Sequence, residues 1–189
     1  MGSMNNPERA IYQWVSKKTI GIVAALLAVV VIVDFTLYFA IFLPLTGGTA
    51  YLELNIGYLP DDLFDFAEAY GEGGRSMYIA MSCTLDMLVP LLASLLLTSI
   101  AFFLAKRSGD TRLVRPVLVL GFCCCLSDWA ENVCMMSVLA SYPEQAMTAA
   151  VFARVFTTLK YLFVIALVLV VVAQAFRGRG AGKTGKDAA

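Results

Sequence analysis

Four long apolar runs, Thr19 to Leu45, Met77 to Ala105, Leu113 to Leu139 and Ala146 to Phe176, occupy most of this chain of 189 residues. Each meets or exceeds the ~20 residues that a helix needs to cross about 30 Å of hydrocarbon. No water is available there to pair with the backbone, so each run must close its own hydrogen bonds as a helix. The expected fold is therefore all-α: a polytopic membrane protein built as a left-handed four-transmembrane-helix bundle. A hydrophobic content of 60% against 15% charged residues lies outside the range of soluble domains. The first run has a basic flank, as a signal peptide does, but it far exceeds an h-region of about 7–15 residues and is read as a retained span.

A formal net charge of zero hides a segregation of charge. Arg9, Lys17 and Lys18 precede the first run, Lys106, Arg107 and Arg112 lie between the second and third with Arg115 at the start of the third, and Arg177, Arg179, Lys183 and Lys186 follow the fourth. These are eleven of the fourteen bases. The other two loops carry Glu53, Asp61, Asp62, Asp65, Glu68, Glu72 and Glu144, with Arg75 as their base. Since the Lys and Arg of short loops stay inside, both termini are expected in the cytoplasm and the first and third loops outside. The expected organisation is a cytoplasmic lead-in over 1–18 and a transmembrane domain over 19–176, followed by a Gly-rich, basic, disordered tail over 177–189. The bacterial inner (plasma) membrane is the expected location.

Within the first outer loop Leu59, Leu63, Phe66 and Tyr70 recur at helical spacing, with Asp61, Asp62, Asp65 and Glu68 on the other face. This predicts an amphipathic helix over about 60–70, begun by Pro60 and ended by Gly71. It serves as a connector or as a lid hinged at Gly71, Gly73 and Gly74. Cys83, Cys123, Cys124, Cys125 and Cys134 all fall within spans, so no disulfide framework is expected. Three consecutive cysteines point about 100° apart on a helix and cannot converge on one metal. Histidine is absent, which removes bis-His haem, His-zinc sites and Ser-His or Cys-His nucleophile pairs.

Six ionisable residues interrupt the apolar runs: Asp34, Asp86, Asp128, Glu131, Arg154 and Lys160. A charge at the bilayer centre costs about 2.5–3.5 kcal/mol on insertion scales, so such residues call for partners or a purpose. Counting the helical rise along each span places all six toward the outer half. Asp128, Glu131 and Asn132 stand at i, i+3 and i+4 and share one face of the third span. Arg154, Thr157, Thr158 and Tyr161 form a polar stripe on the fourth, and Lys160 reaches it by its long stem. The first span adds Asp34 and Tyr38, the second Tyr78 and Asp86, and Pro90, a turn below Asp86, frees a backbone carbonyl.

The expected site is thus an outward-facing polar pocket lined by Asp34, Tyr38, Tyr78, Asp86, Asp128, Glu131, Asn132, Arg154, Thr157, Thr158, Lys160 and Tyr161. Its leading use is to bind a small amphiphilic or cationic ligand, with proton-coupled transport as an extension. One alternative is a lipid-modifying enzyme with Asp128 and Glu131 as general acid and base. The other is a non-catalytic subunit whose buried charges pair with a membrane-protein partner or a second copy. Whether the chain is an enzyme is left open. Asp86, Asp128 and Glu131 offer oxygen ligands to a hard cation, but the neighbouring Arg154 and Lys160 oppose one, so no resident metal is expected. No cofactor is assigned, lipid is the surrounding partner, and nucleic acid is not expected.

Overall fold

The computed structural model describes residues 13–52, 57–108 and 112–184, with backbone alone for 108 and 177–184. Helix α1 runs over Lys17–Leu45, α2 over Asp62–Ser82, α3 over Leu85–Ser108, α4 over Val114–Ser141 and α5 over Met147–Thr184. No strand occurs among the described residues, and four stretches are long and apolar enough to cross a membrane: Lys17–Leu45, Asp62–Arg107, Val114–Ser141 and Met147–Phe176. Helix α5 extends past the expected end of its span, while tail residues 185–189 and lead-in residues 1–12 lie outside the described residues.

Local chemistry sets the helix ends. Ser16 caps α1, its Oγ accepting from the Thr19 N–H at 3.1 Å. Near its far end α1 widens into one π-helical turn, Tyr38–Phe42, in which the Leu43 N–H bonds the Tyr38 carbonyl. The widening lies directly ahead of Pro44, which has no N–H to continue the ladder. It leaves Tyr38 and Phe42 both buried, their rings stacked at 5.9 Å.

Two expectations for the next segment change. A continuous helix was expected over 77–105, but α2 ends at Ser82 and α3 begins at Leu85. At this break the Thr84 hydroxyl donates to the Ala80 carbonyl at 2.8 Å and the Thr84 N–H to that of Met81 at 3.1 Å. Of the three expected hinge glycines, only Gly71 leaves the helical region, at φ 62° and ψ 179°. Gly74 is instead a point of close packing, where an added Cβ would lie 2.7 Å from Thr46 Cγ2. In the segment before Gly71, Leu63 and Tyr70 are buried, whereas Leu59 precedes the helix and is exposed. The Leu59 N–H donates to Asp62 Oδ2 at 2.7 Å at this helix start.

Helices α4 and α5 pair most extensively, and α1 packs on α3. Two clusters hold the bundle. At the end nearest the α1–α2 connection lie Tyr38, Phe42, Tyr51, Tyr70 and Tyr78, with ring centroids 4.3 Å apart for Phe42 and Tyr51 and 5.3 Å for Tyr51 and Tyr78. Such contacts add about 0.5–1.5 kcal/mol each beyond area burial. At the other end Val15, Ala101, Phe102, Ala105, Val114, Val117 and Leu167 pack together. The outward faces are also apolar, with Ile32, Phe39, Phe122, Leu162 and Leu169 exposed.

Candidate functional site

The polar residues gather into two centres. The first joins α4, α5 and the connection before α2. Lys160 Nζ lies 3.0 Å from Asp128 Oδ1 and 2.5 Å from Glu131 Oε2, so one ammonium bridges two carboxylates one helical turn apart. Thr157, a turn before Lys160, has its hydroxyl 2.7 Å from Glu131 Oε1 and 2.8 Å from the Ala153 carbonyl. Tyr58 OH lies 2.7 Å from the same hydroxyl. A threonine has one proton to give. When it goes to the carboxylate, Tyr58 donates to Thr157, and a hydrogen-bonded chain runs Tyr58, Thr157, Glu131, Lys160, Asp128. Glu131 and Tyr58 are each only 1% exposed.

Tyr58 stands outside the apolar spans, and burial pushes its phenol up from 10.0 to about 12. The Glu131 carboxylate adds to that rise, while the Thr157 hydrogen bond opposes it. The Arg154 guanidinium lies 5.5 Å from the centre of the Tyr58 ring. Sequence reasoning missed Tyr58 because it sits in irregular backbone, where no periodicity fixes the direction of a side chain.

The expected stripe on α5 divides. Thr157 and Lys160 turn into the bundle, whereas Thr158 is exposed and its hydroxyl returns to the Arg154 carbonyl at 3.0 Å. Tyr161 is half-buried, its ring centre 5.6 Å from Lys160 Nζ. Tyr78 joins the aromatic cluster and donates to Met135 Sδ at 3.1 Å.

The second centre lies between α1 and α3. A cavity of about 200 Å³ is lined by Val31, Asp34, Phe35, Tyr38, Tyr51, Asp86 and Val89. Asp86 is buried, and its Oδ2 accepts from Ser82 Oγ at 3.0 Å. Asp34 Oδ1 is enclosed and has no hydrogen-bond partner among the described residues. Rings supply much of the wall, with Tyr38 and Tyr51 centroids 4.7 Å apart.

Pro90 positions this second centre. It cannot donate to the carbonyl four residues earlier, that of Asp86. Asn132 Nδ2 of α4 approaches that carbonyl at 3.4 Å, and the Trp129 indole N–H donates to the adjacent Met87 carbonyl at 2.9 Å. Asn132 therefore serves the backbone of α3. Among the described residues no three His, Cys, Asp or Glu side chains converge as a metal site, and the Lys160 ammonium stands where a cation between Asp128 and Glu131 would sit. All five cysteines are free thiols.

The two centres offer different chemistry. In the first, both carboxylates share one ammonium. In the second, two acids share a small aromatic-walled space. Comparison of the chain with protein-family models, with curated proteins and with solved structures finds no match.

Proposed function

We propose that this chain is an integral membrane protein that binds a small amphiphilic organic cation in the cavity between α1 and α3. Asp34 and Asp86 supply the counter-charge, and Phe35, Tyr38 and Tyr51 the aromatic wall. The observation that carries the reading is the pairing of two carboxylates with rings around one cavity, one acid oxygen enclosed and unpartnered. Aromatic faces attract a cation by about 2 kcal/mol or more once it is desolvated, and carboxylates add the opposite charge. The apolar outward faces of the four long helices support the membrane setting. The distribution of basic residues directs the cavity toward the outer half. An acid/base enzyme on Asp128 and Glu131 has less support, because Lys160 and Thr157 engage those carboxylates.

Calorimetric titration of the purified protein in detergent with benzyltrimethylammonium tests the proposal. Saturable binding is expected, weakened at least about tenfold by Asp86→Asn or Asp34→Asn, a loss of about 1.4 kcal/mol. Binding that is absent, or that both variants leave unchanged, would overturn it.

A further inference from the structure

On the opposite side of α3 from the acidic cavity, a half-open groove of about 290 Å³ runs between α3 and α4. Its walls are Leu91 and Leu95 of α3 and Leu118, Phe122 and Leu126 of α4, and Trp129 closes one end. From Leu118 to Trp129 the groove follows three turns of α4, about 16 Å at 1.5 Å per residue. The indole of Trp129 is held in place by its hydrogen bond to the Met87 carbonyl, so the end wall is rigid. Gly121 and Thr98, both lining the groove, meet where α3 and α4 pack closely: an added Cβ at Gly121 would lie 2.5 Å from Thr98 Oγ1.

The floor is not wholly apolar. Ser94 lines the groove and is buried, and its hydroxyl meets the Cys124 thiol, with no oxygen or nitrogen partner among the described residues. The Cys124 thiol beside it is a weak donor and acceptor. A buried hydroxyl without a strong partner costs free energy that a ligand oxygen can recover.

We infer that this groove is a binding site for a single-chain lipid alcohol, with the chain along the α3–α4 walls and its hydroxyl on Ser94. The occupant follows from three features. The walls call for an apolar chain, their length for an extended one, and a hydroxyl paired only with a thiol for one uncharged oxygen rather than a charged head. Access is sideways, since Leu95, Phe122 and Leu126 on the rim are exposed. The inference rests on the membrane setting proposed above but not on the cation site.

The test uses the chain's two tryptophans, Trp14 and Trp129. In a Trp14→Phe background, Trp129 fluorescence reports contact with a bromine atom. The probes are an ω-bromo long-chain alcohol and the matching bromoalkane, compared at equal mole fraction in the micelle. Saturable quenching is expected, with the alcohol about two- to tenfold tighter, the worth of one net hydrogen bond. Ser94→Ala should erase the preference while leaving the alkane curve and the helical spectrum unchanged, and Asp86→Asn should leave the preference intact. Quenching that rises without saturation, equal strength for the two probes, or a preference that survives Ser94→Ala would overturn the inference. Failure of benzyltrimethylammonium to bind would leave these results unaffected, so the two proposals fail separately.

Discussion

Lys160→Met tests the bridged carboxylates of the first centre most directly. The ammonium contacts Asp128 Oδ1 and Glu131 Oε2, and the Glu131 side chain is 1% exposed. Removing one partner from such a buried arrangement costs about 3–5 kcal/mol, because the remaining charge keeps its desolvation penalty. Here two carboxylates remain, so the upper part of that range is expected. At about 2–4 °C per kcal/mol for a chain of this size, Tm should fall by about 8–20 °C. Glu131→Gln alone should cost less, about 1–3 kcal/mol, since the amide keeps an oxygen for Thr157 and Lys160 keeps Asp128. With Glu131→Gln in place the lysine answers Asp128 alone, and Lys160→Met should cost about 1–3 kcal/mol less than it does in the wild type. Thermal unfolding in detergent, followed by circular dichroism on the wild type, both single variants and the double, measures the coupling. Strictly additive shifts would refute the reasoning, since they would mean that the two side chains do not meet.

Three further outcomes are expected. In a background lacking the five native cysteines, a cysteine at Glu68 should react with an impermeant reagent from outside and one at Ser108 only from inside; the reverse pattern would invert the proposed topology. Asn132→Leu should cost about 1–3 kcal/mol by stranding the Asp86 carbonyl, and less when Pro90→Ala restores a backbone donor; an equal loss in both backgrounds would argue against the Pro90–Asn132 relation. For Tyr58 the folded phenol titrates above its ordinary 10.0, so the stability it contributes is complete below pH 10 and lost as pH rises toward about 12. The phenolate difference spectrum between wild type and Tyr58→Phe should therefore show a group titrating near about 12, and an ordinary tyrosine titration would place Tyr58 in solvent.

The sequence alone determined the helices and which of their residues stand out. Long apolar runs have one way to satisfy their backbone in hydrocarbon, and interruptions such as Asp86, Asp128, Glu131 and Lys160 are conspicuous because burying a charge is costly. Spacing was enough to put Asp128 and Glu131 on one face, since i and i+3 are neighbours on any helix. Pro90 was legible as the source of a freed carbonyl, because the missing N–H is a property of the residue. Tertiary structure decided how those features were paired. One pocket was expected from four helices, yet Lys160 closes on Asp128 and Glu131 while Asp34 and Asp86 share a different cavity. Helix rotation about its axis separates these outcomes, and in α5 it turns Thr157 inward and Thr158 outward, one residue apart and about 100° around. Tyr58 was invisible for a related reason: a loop side chain has no period, and its direction is set by the packing of the helices around it. The groove beside Ser94 likewise depends on how α3 and α4 pack, as where Gly121 meets Thr98, a contact between residues of two helices that neither helix specifies by itself.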